Sequence, residues 1–385
     1  METMQLEKND TSGVYAKREI SLVRGQGACL FDDQGKRYID CVGGQGTANI
    51  GHCQPPVVQA ITDQLNQLMI CPEIFYHPNR GLFYDALLSA LGPAYNRVFL
   101  CNSGTEAVEA ALKFSRFLTG RTKILAAMRC FHGRTMGALS ATWNKHYRQP
   151  FMPLVPDYDH FPYDNIDKMT AKIDDQTAAV ILEVVQGEGG IYPGSTAFFQ
   201  AARELCSKHG ALLIIDEVQS GFGRTGKLFA FMHHDIQPDL ITMGKSIAAG
   251  IPMGAVVLNQ DVPDLRPGIH GSTFGGNPVA TAAAIASLKF IQENHLVENA
   301  AEMGAYFVDQ LQAIDSPLIR EVRGKGLMIG MELKQKVAPI LAKLAEEGVL
   351  ALPAGMNVLR FLPPLVINKE QIDQVIAATR KALAE

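Results

Sequence analysis

Through the middle of the chain, short apolar and β-branched runs alternate with longer helix-forming stretches, and few folds accept that rhythm. The runs are RVFLCN (97–102), KILAAM (123–128), AAVILEVV (178–185), ALLIID (211–216), LITMG (240–244) and GAVVL (254–258). Several are apolar on both faces, as buried parallel strands should be. Segments 105–118 and 197–209 are long enough to return the chain across a sheet as helices. The pattern predicts an α/β fold whose large domain has a mostly parallel central sheet. From about residue 280 the rhythm changes to a long helical stretch, then EVRGKGLMIGMEL, VLALPAG and VLRFLPPLVI as strand-like pieces, then a closing helix after Asn368. That reads as a smaller α+β domain. The expected division is an N-terminal segment 1–50 joining the small domain, a large domain 51–279 and a small domain 280–385.

At 385 residues one ordinary core does not suffice, which favours the two-domain reading. A formal charge of −4 and no Lys/Arg-rich run leave nothing to grip a phosphate backbone, so nucleic acid is not expected as a partner. No apolar stretch approaches the roughly 20 residues of a membrane span, and the charged first 20 residues do not form a signal-peptide core. The seven scattered cysteines contain no C-x-x-C pair, and His233-His234 lacks the spacing that puts two imidazoles on one helical face. A cytoplasmic protein with reduced thiols and no metal site is the expectation.

Three segments carry possible chemistry. In NSGTEAVEAALKF (102–114), Ser103 and Glu106 have capping-box spacing after a strand. Gly104 and Thr105 would then present free N–H groups at a helix N-terminus, a site suited to a phosphate, although an ordinary capped helix reads the same way. The run ALLIIDEV ends on Asp216 and Glu217, at the carboxyl edge where open α/β sheets bind ligands. An aspartate there can hold a protonated heterocycle nitrogen. Lys245 ends LITMGK among small residues, and a lysine whose pKa is lowered can condense with an aldehyde. Singly each has a bland explanation. A phosphate cup, a ring-nitrogen carboxylate and an amine nucleophile on one sheet edge are together the contacts that pyridoxal 5′-phosphate requires.

The ordered motifs NSGTEA (102–107), FHGRT (131–135), LEVVQGEGG (182–190), IIDEVQSGFGRTG (214–226), TMGKS (242–246), HGSTFGGNP (270–278), RGKGLMIGMEL (323–333) and LRFLPPLV (359–366) span most of the chain. It resembles the class III aminotransferases, pyridoxal-phosphate enzymes of fold type I. The resemblance implies that Lys245 carries the cofactor and moves the proton, that Asp216 holds the pyridinium nitrogen, and that Gln219 meets the phenolic oxygen. It places Phe131 and Val218 on opposite ring faces, with His132 as a wall of the pocket. Ser103, Gly104 and Thr105 would hold the phosphate, and Thr273 would reach the phosphate of a neighbouring subunit in a homodimer with shared sites. Arg360 would bind the α-carboxylate of glutamate, with Glu188 pairing to it when an ω-amino substrate is bound. Arg134 would take the substrate's distal carboxylate, with Ser272 nearby.

Within that family, FHGRT and LRFLPPLV resemble acetylornithine aminotransferases, whereas CVGGQGTANIGH (41–52) and VLALPAG resemble the lysine-biosynthetic branch. In that branch the aminoadipate semialdehyde is attached to a small acidic amino-group carrier protein. The implied reaction moves an ω-amino group between glutamate/2-oxoglutarate and an N-blocked semialdehyde. Enzymes acting on free ornithine carry an aromatic residue near Gln45, itself a substrate-binding candidate, and the absence of that aromatic argues against free ornithine; an ornithine or other ω-amino acid aminotransferase of the same class stands as the alternative. A different class, a nucleotide-binding enzyme, is suggested by GFGRTG (221–226), which satisfies G-x-G-x-x-G with Asp239 at a ribose-like distance. No strand feeds directly into its first glycine, and Leu228 stands where a P-loop needs a hydroxyl.

Overall fold

A computed structural model describes residues 2–384. An N-terminal antiparallel sheet comprises β1 (Leu22–Gln26), β2 (Cys29–Asp32) and β3 (Arg37–Asp40). The central sheet contains β4 (Tyr95–Cys101), β5 (Lys123–Ala127), β6 (Tyr158–Phe161) and β7 (Thr177–Glu183). After β7 comes a short hairpin, β8 (Val185–Gln186) and β9 (Tyr192–Pro193). The central sheet is completed by β10 (Leu212–Asp216), β11 (Leu240–Met243) and β12 (Gly254–Asn259).

The order across the central sheet is β4-β12-β11-β10-β7-β5-β6. β12 runs antiparallel to both β4 and β11. The expected strand GAVVL therefore lies in the sheet with its direction reversed. The reason is chain length: only Gly244–Met253 joins it to β11, too few residues for the crossover a parallel partner needs. Every residue of β7 and β12 is buried, which explains their unbroken apolar character.

The helix Gly104–Thr119 buries six apolar residues, including Val108, Leu112 and Phe114, together with Ser115. It ends at Gly120, whose left-handed φ of 68° a side chain would disfavour. The helix Thr196–His209 is closed the same way by Gly210. The C-terminal sheet, β13 (Ile319–Lys325), β14 (Met328–Leu333), β16 (Leu352–Ala354) and β17 (Val358–Phe361), runs in the order β13-β14-β17-β16. Between them β15 (Val349–Leu350) pairs in parallel with β3, joining the N-terminal sheet to the last hundred residues. Among the described residues no helix is long and apolar enough to cross a membrane.

Candidate functional site

The carboxyl ends of β7, β10 and β11 open onto a cavity of about 230 Å³. Gly104, Thr105, Phe131, His132, Arg134, Glu188, Asp216, Val218, Gln219 and Lys245 all line it. These residues are scattered over more than 140 positions of sequence, and parallel strands gather them because every such strand ends on the same edge.

At the base of the cavity, Ser103 caps the helix Gly104–Thr119, its hydroxyl accepting from the Glu106 N–H at 3.3 Å. Glu106 turns back to the N–H of Asn102 at 2.8 Å, one residue earlier than a standard capping box reaches. The first-turn N–H groups of Gly104 and Thr105 have no intrahelical partner and point out of the positive end of the helix dipole. A Cβ on Gly104 would stand 2.5 Å from Val218 Cγ1, so only glycine lets the helix start this close to that wall. The Thr105 hydroxyl meets that of Thr135 at 2.9 Å and accepts from the Arg134 N–H at 3.3 Å, tying the FHGRT segment to the helix start.

Asp216 ends β10, 5% exposed. One of its oxygens accepts from the Val218 N–H at 3.0 Å, and the other lies 2.7 Å from His132 Nδ1. Burial disfavours charge on His132, yet the hydrogen bond and charge of Asp216 oppose it and hold the imidazole well above its ordinary range. His132 Nε2 is buried without a partner. His132 is thus more than a wall of the pocket: it fixes the carboxylate of Asp216.

Lys245 follows β11 with φ = 48°, a left-handed backbone that costs an L residue about 1 kcal/mol. Burial lowers its pKa, against the nearby carboxylates of Glu188 and Asp216, while Arg360 lowers it further. An amine so placed is a better nucleophile and proton acceptor than a solvated lysine.

Arg360, on β17 and 3% exposed, donates from Nη1 to a Glu188 oxygen. The same nitrogen lies 3.5 Å from Gln219 Oε1, and Arg360 Nε is buried without a partner. Arg134 is exposed at the rim, its guanidinium 3.7 Å over the Tyr147 ring. Ser272 accepts from Asn102 Nδ2 at 3.0 Å. Thr273 is exposed, and Gln45 is exposed in a left-handed turn (φ = 60°); neither lines the cavity of this single chain.

A residue that the sequence reading did not single out also lines the cavity. Glu183, the last residue of β7, stands in register beside Asp216. Its two oxygens accept from the backbone N–H groups of Phe131 at 2.9 Å and Gly187 at 3.1 Å. Burial first, and then the charge of Asp216, push its carboxyl up to about 7, opposed by His132 and the two N–H groups. The available signal was a carboxylate closing an otherwise apolar strand.

GFGRTG forms no phosphate cradle. Arg224 is fully buried, and its guanidinium donates to the carbonyls of Leu327 and Pro363 and, at 2.6 Å, to Asn49 Oδ1. Asp239 is occupied as well, accepting from Arg203 and from the Leu213 N–H. The nucleotide-binding reading fails because residues 221–225 are buried in turns from which no α-helix starts, and Asp239 already holds structural contacts.

The family model described as Aminotransferase class-III matches residues 13–383. The chain is 50% identical over 381 residues to the [LysW]-aminoadipate semialdehyde transaminase of Deinococcus radiodurans, covering 98% of this chain and 89% of that one. It is 42% identical over 386 residues to the acetylornithine aminotransferase of Methanopyrus kandleri, covering 100% and 99%. The crystal structure of ornithine aminotransferase from Toxoplasma gondii superposes with a TM-score of 0.95 at 33% identity, over 99% of this chain and 94% of that one.

Proposed function

We propose that this chain, which belongs to the class III aminotransferase family, moves an ω-amino group between glutamate/2-oxoglutarate and an N-blocked semialdehyde, using pyridoxal 5′-phosphate. The observation that carries the reading is the Arg360–Glu188 pair, whose carboxylate lines the cavity with Lys245 and Asp216 while Arg360 stands behind it. It is a carboxylate receptor with its own removable occupant, which an enzyme that must take two unlike amino donors in turn requires.

The residues fit the cofactor. The free N–H groups of Gly104 and Thr105 suit its phosphate, Phe131 and Val218 its ring faces, Asp216 its ring nitrogen and Gln219 its phenolic oxygen. When bound, the cofactor supplies an aldehyde and an electron-withdrawing ring. Asp216, fixed by His132 and the Val218 N–H, would present its carboxyl group to a protonated ring nitrogen. Lys245 Nζ would be the amine that holds the cofactor's aldehyde and, when free of it, the general base that takes the proton from the amine-bearing carbon and the acid that delivers it to the former aldehyde carbon. For glutamate, Glu188 swings off and Arg360 takes the α-carboxylate in paired hydrogen bonds. For the ω-amino substrate Glu188 stays on Arg360, while Arg134 at the rim takes the distant carboxylate.

The substrate reading is supported by the two relatives above, both named for N-blocked intermediates, one of them joined to a carrier. The homodimer reading is supported by exposed Thr273 and by Met69, Ile70, Ile74, Phe75 and Tyr76, a run of apolar side chains uncovered in a single chain. The test offers purified protein glutamate with acetylated, carrier-linked or free ornithine-type semialdehyde and follows 2-oxoglutarate. A blocked aldehyde should give the highest kcat/KM, and preference for the free one would overturn the substrate assignment.

A further inference from the structure

We propose that Glu183 is a positioning residue that locks the Phe131 segment to the loop carrying Glu188, so that the ring wall and the arginine gate hold one fixed relation.

Its two oxygens are divided between the loops, one on the Phe131 N–H at 2.9 Å and the other on the Gly187 N–H at 3.1 Å. Both N–H groups precede or belong to residues that face the cavity, and Glu183 itself lines it at 7% exposure. The strand that carries Glu183 is wholly buried and paired on both sides, so the carboxylate is a fixed point relative to Asp216. The far end of the Glu188 loop is held from the C-terminal sheet, where Arg323 donates to the Gly190 carbonyl at 2.7 Å. Glu188 thus sits between two anchors, and Glu183 is the one that also reaches the ring wall. A Cβ on Gly187 would stand 2.0 Å from Gln219 Oε1, so this loop has no room to shift toward the cavity without moving a second lining residue. An amide in place of the carboxylate keeps the shape but offers one acceptor and one donor to two N–H donors, and one loop must let go.

The inference rests on the reading of Glu188 as the gate on Arg360. The test compares wild type, Glu183→Gln, Glu188→Gln and the double variant as holoenzymes. The readouts are kcat/KM for the ω-amino donor, kcat/KM for glutamate, and visible circular dichroism of the bound cofactor. Glu183→Gln should lower the ratio of ω-amino to glutamate kcat/KM by roughly tenfold and alter the dichroism. In the Glu188→Gln background it should lower that ratio by less than twofold, because the gate is already gone. Equal loss in both half-reactions, or full additivity in the double variant, would overturn the proposal while leaving the gate intact. A Glu188→Gln variant with an unchanged ratio would overturn the gate and the proposal together. If Glu183→Gln fails to fold, Glu183→Asp carries the same comparison, since a side chain one methylene shorter cannot span both N–H groups.

Discussion

Replacing Glu188 by glutamine tests the gate through the two half-reactions. Arg360 is 4% exposed at its side chain, and Glu188 is 29% exposed. Removing one partner of a fully buried ion pair costs about 3–5 kcal/mol, whereas an exposed pair is worth about 1 kcal/mol or less. With one partner buried and the other partly solvated, about 2 kcal/mol is appropriate, or roughly 30-fold at 1.4 kcal/mol per decade. The sign differs between substrates. An ω-amino donor meets an Arg360 that is already unpaired in the free variant, so its kcat/KM should hold or fall, and the ratio of ω-amino to glutamate kcat/KM should fall about 30-fold. Glutamate supplies its own carboxylate and no longer displaces Glu188, so its kcat/KM should hold or rise. Single-turnover measurements of each half-reaction separate these effects from product release. An equal fall in both would refute the reasoning, because the charge on Glu188 would then serve the site without discriminating between donors.

Lys245→Ala should leave the fold intact and cofactor binding largely so, while turnover falls at least about 10³-fold, the scale of a lost acid–base group; near wild-type transamination would remove Lys245 from the chemistry. In the wild type, borohydride should fix the cofactor to Lys245, as peptide mapping would show. Glu217 is fully buried, and burial raises its carboxyl to about 7, against hydrogen bonds from Ser220 and the Phe231 N–H. Its folded pKa exceeds the unfolded 4.5, so its contribution is fully present below pH 4.5 and is lost as pH rises through 7, a loss of about 3 kcal/mol by pH 8. Urea midpoints at pH 5 and pH 8 should therefore differ less for Glu217→Gln than for wild type, and an identical difference would count against a neutral buried carboxyl.

The sequence exposed those parts of the structure that local physics determines. Six of the seven central strands were visible because strands buried on both faces must be apolar. The seventh, β6, has the sequence YDHF with Asp159 exposed, so it shows neither an apolar run nor clean alternation. The reversal of β12 was present in the short link before it and absent from the strand itself. The start of the helix Gly104–Thr119 was legible from Ser103 because a cap is chemistry of one or two residues. The apparently continuous helical stretch after 280 is instead Pro278–Glu293 and Leu296–Gln312, broken at His295 with φ = 51°, a break that no glycine or proline announces. In the site, Lys245 and Asp216 could be placed from strand ends alone. The bonds of His132 to Asp216 and of Glu183 to Phe131 and Gly187 could not, since each joins segments 4 to 84 residues apart through side-chain geometry.

The proposed gate pair ties the C-terminal sheet to the candidate site. Glu188 stands in the β8–β9 hairpin beyond the central sheet, and Arg360 stands on β17, so their ion pair spans the two sheets. Arg360 is in register with Gly330 of β14, whose neighbour across the sheet is Arg323, the residue that holds the Gly190 carbonyl. One three-strand register therefore sets both the arginine of the gate and the anchor of the loop that carries its carboxylate. Arg224 adds a fixed joint close by, through its bonds to the carbonyls of Leu327 and Pro363. A displacement of the C-terminal sheet would carry Arg360 and the Gly190 anchor together and leave the Glu183 anchor behind. If Arg360 and Glu188 select the donor as proposed, that selection depends on the fit between the sheets as much as on the residues that touch the substrate.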